Sequence, residues 1–297
     1  MRSIDGQTKI AGVLGRPLGH SLSPAMHNAV YQQLELNWVY LPVELADEVG
    51  LRRFMALAPS LRCVGFNVTM PFKQAVLELC DEVATAASMA GAVNTVHVVE
   101  GRLVGYNTDG RGLLEALEEE AGFTPAGKDV VILGAGGAAG AAFVAFLLAR
   151  AASITVVNRD MDRADELIDR MRGHLGAAKA SSVSVYAAEQ QIGAADLIVN
   201  ATPAGMKPED ESPIPVEWLR PGQLVYDMVY GTPEPTALVS GARSVGARAL
   251  DGLGMLVCQG AIAVDIWNDS KQVRTPRETM RAAAEAALCA RGAGGRP

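Results

Sequence analysis

Between an apolar run ending at Leu133 and an Ala-rich run reaching Arg150 lies Gly134-Ala-Gly136-Gly-Ala-Ala139, a GxGxxA turn. A glycine-rich turn that follows a strand and opens a helix constrains its surroundings to a βαβ unit, and hence to a parallel sheet. Gly134 permits the sharp turn, and Gly136 lets the backbone approach a pyrophosphate. Small side chains at Ala138 and Ala139 let the helix lie close to the sheet. The helix N-terminus then offers unpaired N–H groups and a partial positive charge to phosphates. Gly134, Ala135, Gly136, Gly137 and Ala138 are therefore candidate cofactor-binding residues.

The next strand, expected at Ile154–Val157, discriminates between cofactors. A carboxylate at its end would hold a ribose 2′-hydroxyl, whereas a 2′-phosphate calls for arginine. The chain reads Asn158-Arg159-Asp160-Met161-Asp162-Arg163 there. Two guanidiniums one helical turn apart favour NADP. Asp160 and Asp162 either cap the following helix or oppose the phosphate, so NAD stays possible.

The remaining pattern alternates strand-like and helical runs, which predicts an α/β protein with mainly parallel sheets. Strands are expected at Lys9–Leu14, Val39–Val43, Cys63–Val68, Val93–Val98, Val130–Leu133, Val183–Tyr186, Asp196–Val199 and Gln223–Asp227. Helices are expected at Ala25–Leu36, Val49–Leu57, Phe72–Leu79 and Gly112–Ala121, and again after Asp251-Gly252. Ser23 before Pro24 has the form of a hydroxyl cap followed by a proline at the first helical position. With 297 residues, two domains are expected at roughly 150 residues each.

Composition narrows the class. A formal net charge of -7 argues against nucleic acid as a general partner. The longest apolar stretch, residues 138–149, is too short for a bilayer, and the N-terminal residues lack the apolar run of a signal peptide, so a cytoplasmic protein is expected. Cys63, Cys80, Cys258 and Cys289 form no CxxC pair, and the four histidines form no HExxH, so no metal site is readable.

Four polar clusters interrupt the apolar runs of the first third: Ser21-Leu-Ser23, Asn67-Val-Thr69-Met-Pro-Phe-Lys73, Gly91-Ala-Val-Asn94-Thr95 and Tyr106-Asn107-Thr108-Asp109-Gly110. In doubly wound sheets such residues collect beyond the carboxyl ends of strands, where ligands bind. No nucleophile elbow and no glycosidase-like acid pair is present.

Together with Asn200-Ala-Thr-Pro-Ala-Gly-Met206, Asp227-Met-Val-Tyr230 and Asp251-Gly-Leu-Gly-Met-Leu-Val-Cys-Gln259, these clusters resemble the shikimate dehydrogenase family, including its quinate/shikimate relatives. The resemblance runs from about Ile10 to Trp267 in unbroken order. It implies a substrate-binding catalytic domain of residues 1–108 and 252–297, completed by C-terminal helices. Inserted in it would be a Rossmann-type dinucleotide-binding domain of residues 109–251.

The resemblance also implies roles. Lys73 and Asp109 match the pair on which catalysis depends. Ser21 and Ser23 match the hydroxyls that hold the substrate carboxylate, with Thr69 and Tyr230 nearby. Asn67, Asn94 and Gln259 match residues that bind ring hydroxyls. Gly134, Gly136, Arg159 and Arg163 match cofactor positions, joined by Asn158, Thr202, Met228 and Gly252. The activity implied is reversible NADPH-dependent reduction of 3-dehydroshikimate to shikimate, a step toward chorismate and the aromatic amino acids. The alternative is a quinate or aminoshikimate dehydrogenase using NAD. Monomer and homodimer are both compatible with the sequence, and no membrane partner is expected.

Overall fold

The alternating pattern becomes two α/β units in the computed structural model, which describes residues 4–232, 234–269 and 274–293. One unit takes the chain up to Thr108 and from Val257 onward; the other is Asp109–Leu256. The second division falls inside a continuous helix, Leu253–Asn268, a few residues beyond the expected boundary at 251/252. Residues 270–273 and 294–297 of the expected helical tail lie outside the described residues.

In the first unit the elements are β1 Lys9–Gly15, α1 Ser23–Gln33, β2 Trp38–Glu44, α2 Glu48–Leu57, β3 Cys63–Val68, β4 Glu82–Val83, α3 Thr85–Ala90, β5 Thr95–Val99 and β6 Arg102–Tyr106. The strand order is β2-β1-β3-β5-β6-β4. All six residues of β3 are buried, as expected for a strand covered on both faces. The sheet is mixed, because β5 runs antiparallel to both β3 and β6. The β5–β6 hairpin turns on Glu100 and Gly101, both at positive φ, which suits a two-residue turn between twisted strands. Leu14, Met55, Phe66, Val68, Phe72 and Val96 are among the side chains that fill the core.

The second unit holds α4 Asp109–Ala121, β7 Asp129–Leu133, α5 Gly137–Leu148, β8 Ser153–Asn158, α6 Met161–Met171, β9 Lys179–Ser184, α7 Glu189–Ala194, β10 Leu197–Asn200, β11 Leu224–Asp227, α8 Ala237–Ser244 and β12 Arg248–Leu250. Its strands run β12-β11-β10-β7-β8-β9, all pairs parallel. The chain works outward from β7 to β9, then resumes at β10 on the other side of β7. That reversal opens a crevice at the carboxyl ends of β7 and β10. Helix α5 is buried on every side from Ala139 to Leu147, which accounts for its unbroken apolar sequence. Helices α9 Leu253–Asn268 and α10 Arg277–Ala293 close the chain.

Three local expectations need correction. Ser23 does not cap α1: the helix begins at Ser23, Leu22 holds the cap position and no side-chain cap bond forms. Phe72–Leu79 is a turn followed by the 3-10 segment Ala75–Leu79. The carbonyl of Lys73 accepts from Val93 N at 2.8 Å, and Leu77 N bonds instead to Gln74 O at 3.1 Å, an i to i+3 step. The strand expected at Val183–Tyr186 is β9, displaced toward the N-terminus, with Val185–Ala187 forming a 3-10 turn in which Ser184 accepts from Tyr186 N.

Candidate active site

In the first unit, the loops after β1 and β3 are laced together. Thr69 N donates to Leu14 O at 2.8 Å, and Arg16 N to Met70 O at 3.0 Å. Ser21 lies in the first loop, half-buried; its Oγ accepts from Ser23 N at 3.3 Å, which leaves the O–H proton to act as a donor. The backbone of that loop is gripped from α10, where the Arg291 guanidinium donates to the carbonyls of His20 and Ser21 at 2.8 and 3.0 Å. Ser23 is buried, and its carbonyl accepts from His27 Nδ1 at 2.9 Å. Burial lowers the His27 imidazole pKa to about 4, so the ring is neutral at physiological pH.

Asn67 is the penultimate residue of β3, with Thr69 and the half-buried Lys73 just beyond. The Lys73–Val93 backbone bond ties the lysine turn to the segment carrying Asn94. Asn94 is buried; its Oδ1 accepts from Thr108 N at 2.8 Å and its Nδ2 donates to Thr108 Oγ1 at 3.0 Å. Gln259 Oε1, from α9, faces Asn94 Nδ2 at 3.5 Å and Thr108 Oγ1 at 3.4 Å. Ser21, Ser23, Asn67, Thr69, Lys73, Asn94 and Gln259 are thus all residues of this unit. Tyr40, the third residue of β2, joins the group through Asn67 although it belongs to no motif. Only an interior position on an edge strand marks it in the sequence.

Asp109 and Tyr230 belong to the second unit. Asp109 is buried at the first turn of α4, and Tyr230 follows β11, half-buried. At the crevice of this unit Gly134 has φ +104, and a Cβ there would meet Thr202 Cγ2 at 3.0 Å, so both conformation and space call for glycine. Gly136 caps α5 and has open space where a Cβ would be, room for a ligand's phosphates against the helix N-terminus. Ala135, Gly137 and Ala138 flank it, partly exposed.

The neighbouring loops are organised by one buried carboxylate. Asp227 Oδ1 accepts from Asn200 Nδ2 at 2.9 Å and Val229 N at 3.1 Å, and Oδ2 from Thr236 Oγ1 at 2.6 Å. Burial raises its pKa, and these bonds oppose the rise. Asn200 Oδ1 in turn accepts from Thr202 N at 3.0 Å, and Met228 N donates to Asn200 O at 3.0 Å. Gly252 N donates to Val229 O, and a Cβ on Gly252 would lie 2.2 Å from Met228 O. Thr202, Met228 and Gly252 therefore sit on mutually bonded loops after β10, β11 and β12.

At the end of β8, Asn158 Nδ2 donates to Asp160 O at 2.7 Å, and Arg159 is exposed. Asp160 is the cap of α6, accepting from Arg163 N at 3.4 Å, and its other oxygen pairs with Arg163 Nε at 3.4 Å. Capping, one of the two roles open to Asp160 in the sequence, is what this side chain does here. The residues present fit a dinucleotide: an open glycine turn at a helix N-terminus, then two arginines past the next strand. Among the described residues no group of three or more His, Cys, Asp or Glu side chains could hold a metal ion. No helix there is long and apolar enough to cross a membrane.

Two family models match the chain: the shikimate dehydrogenase substrate binding domain over residues 13–96, and shikimate / quinate 5-dehydrogenase over residues 117–207. A protein of Methanopyrus kandleri called shikimate dehydrogenase (NADP(+)) is 44% identical over 286 residues, 95% of this chain and 96% of that one. Among solved structures, Thermus thermophilus shikimate 5-dehydrogenase in complex with NADP(H) and shikimate aligns with TM-score 0.81 at 35% identity, covering 94% of this chain and 99% of its own. Quinate dehydrogenase from Corynebacterium glutamicum in complex with NAD aligns with TM-score 0.84 at 32% identity, over 94% of this chain and 99% of its own.

Proposed function

The chain belongs to the shikimate dehydrogenase family, and from that premise we propose that it catalyses the reversible NADPH-dependent reduction of 3-dehydroshikimate to shikimate. The observation that carries this reading is the gathering of Ser21, Ser23, Asn67, Asn94, Gln259 and Lys73 in one unit, around the loops after β1 and β3. Such a set is neutral except for one ammonium, and it suits a polyhydroxylated ring bearing a single carboxylate.

Each residue has work that its chemistry can do. The Ser21 and Ser23 hydroxyls donate to the substrate carboxylate, and Thr69 completes that end. The carboxamides of Asn67, Asn94 and Gln259 bind ring hydroxyls. When bound, NADPH supplies the hydride, and the glycine turn from Gly134 to Ala138 with Asn158, Arg159, Arg163, Thr202, Met228 and Gly252 holds it. Lys73 donates a proton from Nζ to the oxygen of the developing alkoxide and takes it back in the oxidation direction. Asp109, at the first turn of α4, is the other residue that the family resemblance assigns to catalysis. With NADP as cofactor, the protein is placed in the biosynthesis of chorismate and the aromatic amino acids.

Initial rates for shikimate and quinate, each with NADP and NAD, test the reading. Shikimate with NADP should give the highest kcat/KM. A higher value for quinate with NAD would transfer the protein to the quinate-oxidising branch of the family.

A further inference from the structure

Three carboxamides bind ring hydroxyls in the function proposed above, and a carboxamide works as donor or acceptor according to which end it presents. What fixes the end is legible in the backbone. Asn94 Oδ1 accepts from the Thr108 N–H, a group that can only donate, so the oxygen of this amide is assigned. Thr95 Oγ1, 3.0 Å from the same oxygen, must then donate to it, which leaves its lone pairs for Asn67 Nδ2 at 3.1 Å. The Asn94 carbonyl, which can only accept, lies 3.4 Å from the same nitrogen and agrees. Asn67 Oδ1 is thereby the end that faces Tyr40, whose hydroxyl donates to it at 2.8 Å. On the far side, Asn94 Nδ2 and Thr108 Oγ1 both face Gln259 Oε1, so the Gln259 nitrogen lies at the opposite end of its amide.

We infer that Tyr40 is a positioning residue: its hydroxyl is the outer donor of a hydrogen-bond relay through Asn67, Thr95, Asn94 and Thr108 to Gln259, whose direction the Thr108 N–H sets and in which each substrate-binding amide presents a fixed end. Tyr40 and Thr95 are buried at 1% and 0% exposure, so water does not replace a missing link. The Tyr40 ring is held in place by the His27 imidazole, stacked at 4.1 Å between centroids and 18° between planes. Both Asn67 N–H groups point at protein acceptors, Thr95 Oγ1 and Asn94 O. What this amide has left for substrate is therefore a lone pair on Oδ1, an acceptor for a ring hydroxyl. The relay thus selects a ligand that donates at this position, and the Tyr40 hydroxyl holds the Asn67 oxygen in place.

The inference rests on the proposed contact of Asn67 with substrate, and Tyr40→Phe tests it with little change of shape. Shikimate kcat/KM should fall about two- to tenfold, one neutral hydrogen bond's worth, while the KM for NADP stays within about twofold. In an Asn67→Ala background Tyr40→Phe should have no further effect. Shikimate analogues with each non-reacting ring hydroxyl replaced by fluorine add a readout that a packing role would not move. One analogue should be discriminated against by the wild type, since fluorine cannot donate, and discriminated against less by Tyr40→Phe, in which the Asn67 amide has lost the donor that holds its oxygen end. Thr95→Val, which cuts the relay in the middle, should give the same signature. Wild-type kinetics for Tyr40→Phe and Thr95→Val, or a full Tyr40→Phe loss persisting without the Asn67 amide, overturns the relay while leaving the substrate role of Asn67 intact. An Asn67→Ala variant with unchanged kinetics would instead overturn that role and the relay with it.

Discussion

The two units present opposite kinds of polar surface to their ligands. In the first, Asn67, Asn94, Thr95, Thr108 and Gln259 are buried, uncharged and bonded to one another. In the second, the end of β8 carries Arg159, Asp160 and Arg163, exposed and charged, with an ion pair between the last two. Buried groups have their orientation fixed before a ligand arrives, because an unmade bond there costs the full desolvation of the group. Exposed charges keep their water and counter-charges, act over a Debye length of about 8–10 Å and weaken with salt. The first arrangement selects by geometry, the second by net charge. It follows that added salt should raise the KM for NADP more than the KM for shikimate.

The largest effect is expected where the buried region carries its one mobile proton. Lys73→Ala should lower kcat by a factor on the order of 10²–10⁴, the range for a lost general acid–base group, with a much smaller change in shikimate affinity. Turnover within about threefold of wild type would break the assignment. Lys73 is half-buried in a turn pinned by the Val93 N–H, so its truncation leaves that backbone bond in place.

A second consequence of burial concerns stability. His27 stays neutral in the fold, with a pKa of about 4 against an ordinary 6.5, because burial disfavours its charged form. Between those values the unfolded chain binds a proton that the native chain does not, so stability falls as pH falls. The loss is absent above about pH 6.5 and reaches about 3 kcal/mol near pH 4. Urea midpoints across this window should slope downward with acid, and His27→Gln should flatten that component. An unchanged slope in the variant would mean that His27 is not the group responsible.

The same contrast explains what could be read from the sequence. The glycine turn, the arginines beyond β8 and the polar loop clusters are local patterns, visible as residue types at fixed spacing. The central strands of both sheets were visible as apolar runs, Cys63–Val68 to the residue. The hairpin partner Arg102–Tyr106 was not, because its polarity alternates weakly and its turn is Glu-Gly instead of Asn-Gly. The helix expected at Phe72–Leu79 failed because a partner twenty residues away takes the Lys73 carbonyl, which no local pattern records. The link from Tyr40 to Asn67 likewise exists only after β2 and β3 have been brought to either side of β1. Even the arginines are legible in the sequence only as charges: that Asp160 caps α6 while pairing with Arg163 depends on how the chain turns after β8.

The smallest effects, and the sharpest test of selection by charge, lie at that exposed edge. Arg159→Ala should weaken kcat/KM with NADP about ten- to a hundredfold, the worth of one charged hydrogen bond of ~1.5–3 kcal/mol, and leave NAD almost unchanged. Asp160 serves two purposes, cap and counter-charge, and serine separates them. Serine caps a helix about as well as aspartate, so Asp160→Ser should keep α6 while removing the carboxylate that pairs with Arg163. Arg163 is then released toward a 2′-phosphate, and preference should move further toward NADP by up to about fivefold, the upper end of an exposed ion pair. Specificity constants for both cofactors in the two variants read this directly. Equal losses for NAD and NADP in Arg159→Ala would make Arg159 a structural residue, and the source of cofactor preference would then have to be sought among the loops that Asp227 holds together.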